Sequence, residues 1–314
     1  MNMGDNMISI LMASYNGAGY VSAQIDSLLS QTCQNFKLYI CDDMSTDDTY
    51  KILAEYQDKY PDKIFISQNS KNSGSAKFNF INLMINHKDD YLMLCDQDDV
   101  WLPDKIEITL AKMQELETLY GNSLPLLVHT DLKVVNENLE TISESFVAAM
   151  NANYTKTKLR HQIIQNTLTG CTAMYNRALS DLITTNPPFM VMHDWWLMLV
   201  ASAFGKIDSI NNQTVLYRQH NLNEVGAKDV RTLEYKIRKV LNPQGIKQAL
   251  NETYLQANSF KETFRSLLSD EQLEFLSCYC AIATRPKILK WISICRLRVF
   301  KNSLPRKIAQ FLYI

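Results

Sequence analysis

The 314 residues are 46% hydrophobic and 21% charged, with a formal net charge of -1. This is the composition of a chain that buries its own core, in one large domain or two smaller ones, and it argues against disordered, collagen-like and disulfide-stapled classes. Near-zero net charge also argues against a dedicated nucleic-acid binder, which needs excess basic charge to displace counterions.

Seven scattered cysteines, odd in number and without a CxxC pair, read as reduced thiols and a cytosolic protein. The opening residues show no basic segment followed by a long apolar stretch, so no signal peptide is expected. No uncharged apolar run reaches the ~18 residues that span a bilayer.

In chain order, strands are predicted at Ile8–Ala13, Phe36–Cys41, Lys63–Ser67, Tyr91–Cys95 and Leu126–His129. Helices are predicted between them at Tyr20–Ser30, Thr46–Tyr60, Ala76–His87 and Pro103–Tyr120. Such alternation implies an α/β fold with a mostly parallel sheet covered by helices. From Leu132 to about Thr167 the pattern is irregular, and Asn136–Asn153 reads as loop. Regularity returns at Leu168–Tyr175, the helix Asp194–Phe204 and the strand Thr214–Tyr217. Beyond Asn221 the chain reads as helical, with Asn242-Pro243-Gln244-Gly245 as a turn. The natural division is a catalytic domain over 1–222 and a helical C-terminal region over 223–314.

The net charge conceals a polarised chain. After Glu274 there is no acidic residue and there are eight Lys or Arg, so the last 40 residues carry +8 and residues 1–274 carry -9. Ile288, Leu289, Trp291, Ile292, Ile294, Leu297, Val299 and Phe300 lie among those cations. A basic, Trp-containing apolar segment fits the surface of an anionic membrane; the competing reading is a helix packed on the body with its cations in solvent.

In open parallel sheets, ligands bind beyond the carboxyl ends of the strands. Polar residues collect there strand after strand: Ser14-Tyr15-Asn16-Gly17, then Asp42-Asp43, then Asn72-Ser73-Gly74, then Asp96-Gln97-Asp98-Asp99. Any one of these could simply start a helix, since Asp, Ser and Asn are favoured caps. The last is the sharpest. Three carboxylates within four residues repel one another, and a hard divalent cation such as Mg²⁺ or Mn²⁺ relieves that repulsion. Such an ion is commonly completed by substrate phosphates, which points to a nucleotide or sugar-nucleotide. No GxGxxG or GxxxxGK[ST] fingerprint is present, so dinucleotide and P-loop classes are disfavoured.

Farther on, His193-Asp194-Trp195-Trp196 joins a carboxylate to two indoles. The bland reading is a helix start; the functional one is a sugar surface at Trp195 and Trp196, with Asp194 as general base toward an acceptor hydroxyl. Arg218 offers a diphosphate contact, and His220 a metal ligand or phosphate donor.

Taken in order, ISILMASYNG, CDDMSTDDT, DQDDVWLPDKI, HDWW and YRQH resemble glycosyltransferases of family 2 over residues 8 to about 222. The resemblance implies the GT-A fold, a metal-dependent nucleotide-sugar donor and inversion at the anomeric carbon. The DQDDVW and HDWW forms are similar to bacterial rhamnosyltransferases of surface-polysaccharide assembly. By this resemblance Ala13 and Tyr15 hold a pyrimidine base, Asp43 contacts its imide edge, and Asn72 and Gly74 pass near the nucleotide. Asp98 faces the metal, Asp96 the ribose or metal, and Asp99 the donor sugar. Gly170 edges the acceptor pocket and Asp194 is the base. Many relatives have Glu-Asp where this chain has His193-Asp194, which leaves the acceptor contact at His193 open.

The activity so implied is transfer from a nucleotide-diphosphate sugar, dTDP-rhamnose first, to a polyprenyl-diphosphate-linked saccharide at the inner face of the cell membrane. Three alternatives stand beside it: a UDP-hexose or N-acetylhexosamine donor on the same fold, a nucleotidyltransferase, and an inactive sugar-nucleotide-binding module.

Overall fold

A computed structural model describes residues 7–220 and 243–314. The boundary expected at residue 222 lies outside them.

Four parallel strands form first: β1 (Ile8–Ser14), β2 (Phe36–Asp42), β3 (Ile64–Gln68) and β4 (Tyr91–Asp96). All seven residues of β1 are buried, the continuous pattern of a strand covered on both faces. The covering helices are α1 (Val21–Leu29), α2 (Thr49–Lys59), α3 (Ala76–Asn86) and α4 (Lys105–Tyr120). In α1 the buried residues Val21, Gln24, Ile25 and Leu28 fall at i, i+3, i+4 and i+7, one helical face. α4 stops at Gly121, whose φ of 83° suits glycine and not a side-chain-bearing residue.

The sheet then becomes mixed. β5 (Val100–Trp101), β6 (Leu126–Val135), β7 (Thr141–Ser143), β8 (Ala173–Asn176) and β9 (Lys206–Arg218) join it, giving the order β3-β2-β1-β4-β8-β6-β9-β5 with β7 beside β6. β8 runs antiparallel to both β4 and β6, while β9 runs parallel to β6 and antiparallel to β5. Strand β9 starts at Lys206, well before the expected Thr214, because its polar first half shows no apolar run. The irregular stretch holds β7 and the short helices α5 (Phe146–Met150) and α6 (Leu159–Gln162); α7 (Arg177–Ser180) follows β8.

The remaining helices are α8 (His193–Phe204), α9 (Pro243–Thr263), α10 (Asp270–Cys280), α11 (Lys287–Leu297) and α12 (Leu304–Tyr313). The turn expected around Pro243 is instead the start of α9, where a proline is tolerated because the first N–H groups lack intrahelical partners anyway. Ser269 caps α10 in a reciprocal pair with Gln272.

The described residues form two compact units. One comprises residues 7–146, 168–186 and 204–220 and contains the sheet; the other comprises 147–167, 187–203 and 243–314 and is helical. Neither is a single stretch of chain. The core of the first is Ile8, Ile10, Met12, Ile25, Leu38, Met93, Leu126, Val128 and Met174 with their neighbours. Burying each such side chain contributes about 1.5–3 kcal/mol. In the second, Trp196 packs edge-on against Phe260, ring centres 5.4 Å apart, and Phe264 completes the cluster.

Candidate active site

The carboxyl ends of β1, β2 and β4 stand side by side: Ala13 is in register with Cys41 and with Asp96, and Ser14 with Asp42. The polar clusters of the sequence therefore share one sheet edge. Beyond β1, Tyr15 is 46% exposed, an open aromatic face of the kind that stacks on a base. Its backbone is held by Gln97, whose Nε2 donates to the Tyr15 carbonyl at 2.9 Å while its Oε1 accepts from the Tyr15 N–H at 3.0 Å. This two-bond clasp joins the β1 end to the acidic turn. It also explains Gly17, where a Cβ would sit 2.2 Å from Gln97 Oε1.

The two acids after β2 have different tasks. Asp42 is fully buried and accepts from Ser14 Oγ, Ser45 N and Oγ, and Gln68 Nε2, so it is a structural acid. The Asp43 carboxylate accepts from Asn69 Nδ2 at 2.6 Å and from the Ser73 N–H and hydroxyl. Asn72 Nδ2 donates to the Asp43 carbonyl, and its Oδ1 accepts from Gly74 N at 2.8 Å. Asp43 thus anchors the loop after β3, in which Gly74 takes a φ of 80°.

After β4 the turn Asp96-Gln97-Asp98-Asp99 is gripped by the end of β9. Asp98 Oδ2 lies 2.7 Å from His220 Nε2. Arg218 donates from Nε to the Asp98 carbonyl at 2.8 Å, from Nη1 to the Glu137 carbonyl at 2.5 Å, and from its backbone N–H to Asp99 Oδ1 at 3.1 Å. Tyr20 stacks on His220, ring centres 4.4 Å apart and 20° from parallel, and the Arg218 guanidinium carbon lies 5.1 Å from the same ring centre. Tyr20 therefore braces both residues that hold the turn. No motif flagged it.

Two expectations for this turn change. Asp99 is fully buried, so it does not reach a donor sugar; burial, then the charges of Asp98 and Asp96, hold its carboxyl well above the usual range. Arg218 is only 6% exposed and its guanidinium faces backbone carbonyls, so it positions the acidic turn in place of contacting a diphosphate.

Ligand atoms of Asp96, Asp99 and Cys171 lie within 4.8 Å of one another. Burial, then the charges of Asp99 and Asp96, hold the Cys171 thiol well above its ordinary value. Tyr217 lies in the same acidic surroundings, its hydroxyl raised by burial and then by Asp96 and Asp99. Below the turn, Lys105 is fully buried with Nζ 4.5 Å from the Trp101 ring centre, and burial lowers it to about 8. The donor set of carboxylates with one imidazole suits a hard cation such as Mn²⁺ or Mg²⁺, and two ligand-type groups, Asp98 and His220, already face each other.

Gly170 opens a buried single turn, Gly170–Thr172, just before β8. In the helical unit, Asp194 lies in the first turn of α8, half-buried, with Oδ1 accepting from the Trp195 N–H at 2.6 Å. Trp195 is half-buried, and its Nε1 donates to the Gln162 carbonyl. Trp196, expected on a sugar surface, is instead a core residue, 1% exposed with its ring filled by Phe260 and Phe264. His193 is buried too, and desolvation holds it down to about 3, so it is a neutral group inside the helix start and not an exposed acceptor contact.

The mixed sheet gathers the acidic turns at one edge, and comparison with known proteins gives the class of enzyme. The model of glycosyl transferase family 2 matches residues 9–183, and the chain belongs to that family. It is a glycosyltransferase. Among curated relatives, it is 28% identical over 212 residues to the UDP-Glc:alpha-D-GlcNAc-diphosphoundecaprenol beta-1,3-glucosyltransferase WfgD of Escherichia coli, covering 67% of this chain and 75% of that protein. It is also 28% identical over 239 residues to the dTDP-rhamnosyl transferase RfbG of Shigella flexneri, covering 72% and 77%. The fold is the GT-A fold. The structure of S. aureus TarS residues 1–349 with UDP-GlcNAc aligns with a TM-score of 0.56 at 17% identity, covering 93% of this chain and 85% of that one. The Pyrobaculum calidifontis mannosyltransferase PcManGT, solved with GDP-Man and Mn²⁺, aligns at 0.54 and 12% identity, covering 97% and 83%.

Proposed function

We propose that this glycosyltransferase moves a sugar, with inversion, from a nucleoside-diphosphate donor to a hydroxyl of a polyprenyl-diphosphate-linked saccharide, working at the inner face of the cell membrane in surface-polysaccharide synthesis. The observation that carries this reading is the Asp98–His220 pair, braced by Arg218 and Tyr20 on the sheet edge where Tyr15 stands open. Family membership supplies the reaction class, and the diphosphoundecaprenol named for WfgD supports the acceptor class.

Asp96, Asp98 and His220 would hold Mn²⁺ or Mg²⁺, and that ion, when bound, offsets charge growing on the departing diphosphate. The rest is done by the chain. Tyr15 and Ala13 receive the base, and the loop with Asn72 and Gly74, anchored by Asp43, borders the nucleotide. Arg218 and Tyr20 keep Asp98 and His220 in one orientation. Asp194 accepts the proton of the acceptor hydroxyl as that oxygen attacks the anomeric carbon opposite the leaving diphosphate. Gly170 and Trp195 border the acceptor.

The donor is read as dTDP-rhamnose, supported by RfbG; WfgD, a UDP-Glc enzyme of equal identity, favours a UDP-hexose as second reading. A thermal-shift panel of the purified chain, with and without Mn²⁺ or Mg²⁺, separates them, because a specific ligand stabilises by RT ln(1 + [L]/Kd). A metal-dependent shift with dTDP-rhamnose alone supports rhamnosyl transfer. A shift selective for UDP-glucose, UDP-galactose or UDP-N-acetylgalactosamine moves the assignment to the second reading. No shift with any of these donors overturns the donor site.

A further inference from the structure

The two C-terminal helices carry apolar side chains on opposite faces. In α11, Ser293 and Ile294 are buried, as are Val299 just beyond it and Ala309 and Gln310 of α12. These residues fix the pair to the helical unit, helped by Gln310 Nε2 donating to the Val299 carbonyl and Lys301 Nζ to the Ile164 carbonyl. The other side is exposed and equally apolar: Ile288, Leu289, Trp291 and Ile292 on α11, and Leu304, Ile308 and Leu312 on α12. Leu304, Ile308 and Leu312 recur every fourth residue, so they form one stripe along α12.

The two exposed sets are neighbours. The Trp291 indole N–H donates to the Phe311 carbonyl at 2.8 Å, and Lys287 Nζ to the Leu312 carbonyl at 3.1 Å, so the end of α12 lies beside the start of α11. The pair thus presents an apolar surface with a tryptophan at its seam. Of the cations on these elements Lys287, Arg296 and Arg298 are exposed and Lys290, Arg306 and Lys307 half-buried, and no acidic residue follows Glu274. No helix among the described residues is long and apolar enough to cross a membrane.

From this surface we infer that α11 and α12 dock flat on a bilayer rich in anionic lipid, with the isoleucine and leucine stripe in the acyl boundary and the cations on the headgroups. Charge decides between occupants. A second copy seated on the same face would press cations against cations, and protein interfaces are depleted of charge at their centre. An anionic lipid surface complements the exposed cations Arg296 and Arg298, and long basic side chains reach the headgroups while their stems stay apolar. The inference rests on the proposed membrane-borne acceptor only for its purpose; the surface itself is read from exposure and charge.

The test is flotation of the full chain with phosphatidylcholine vesicles, with or without phosphatidylglycerol, at low and high salt. Binding to the anionic vesicles is expected, weakened at least tenfold by salt and by omission of phosphatidylglycerol. Ile288→Ser with Ile292→Ser, Leu304→Ser and Ile308→Ser should lower partitioning at least tenfold. Since apolar replacement can disturb folding, Lys290→Gln with Arg296→Gln provides a second variant, expected to lose the anionic preference with unchanged circular dichroism. Absence of binding, equal binding to neutral vesicles, or a concentration-dependent dimer abolished by the serine variant each overturns the inference. The metal-dependent thermal shift with donor is read on the same samples. For the wild-type chain, no flotation with that shift present refutes the surface alone, whereas no shift with flotation present refutes the donor site alone.

Discussion

At the residue scale, the acidic turn divides into a facing pair and the groups that hold it. Asp98 and His220 face each other, while Asp99 is sealed beneath and Arg218 is fastened to backbone. Asp98→Asn and His220→Gln should each weaken metal binding about 10–100-fold, measured by Mn²⁺ titration of the donor-free chain. Tyr20→Phe should leave that affinity unchanged and Tyr20→Ala should lower it, because stacking on His220 needs a ring and not a hydroxyl. Asp194→Asn should reduce kcat about 10²–10⁴-fold with donor affinity intact; near-normal turnover would remove Asp194 from its role as base. The acidic turn itself was legible from spacing, since DQDD follows a buried strand. The groups that hold it were not. Nothing in one sequence tells that Asp99 is inside, that Arg218 bonds carbonyls, or that Tyr20, more than seventy residues before the turn, lies against both His220 and Arg218.

At the element scale, strands and helices of the parallel half were readable because each is an apolar run or an amphipathic face between turn residues. β5 and β7 are too short for a periodic signal, and the first half of β9 is polar because it is only partly covered. Trp196 shows the limit of reading chemistry from composition: an indole beside a carboxylate suits a sugar surface equally well as a core, and only the packing of Phe260 and Phe264 decides. Trp196→Ala should therefore cost about 3–5 kcal/mol of stability, read by denaturant unfolding, whereas Trp196→Phe should cost far less. Gly205 joins α8 to β9 where a Cβ would sit 1.8 Å from the Pro125 carbonyl oxygen. Gly205→Ala should destabilise by about 1–3 kcal/mol or more, since backbone must move and no flexible side chain can yield.

At the scale of the whole molecule, each unit keeps a histidine neutral in its interior. Burial lowers His129 in the sheet unit to about 4 and His193 in the helical unit to about 3. An unfolded histidine titrates near 6.5, so between about pH 6.5 and 4 the unfolded chain takes up protons that the folded chain refuses. Stability is thus fully present above pH 6.5 and falls with acid, by roughly 1 kcal/mol per pH unit for each histidine. Chemical unfolding from pH 7.5 to 4.5 should show this slope, and His129→Gln should flatten it; a variant with the wild-type slope would mean that other groups govern acid sensitivity.

The order of the sheet has a consequence for how the chain is made. β8 is synthesised after β6 yet sits between β4 and β6, and β9, later still, lies between β6 and β5. A nascent chain that has just delivered β6 has nowhere to put it. Apart from the short pairing of Val134 and Val135 with β7, both its long edges remain open until residue 176, and one of them until 218. Open apolar strand edges invite pairing with other chains. Ribosome-bound fragments ending between Val135 and Lys206 should therefore be the aggregation-prone and chaperone-bound stage of biosynthesis, and slowing translation there should lower the yield of active enzyme more than slowing it after Arg218.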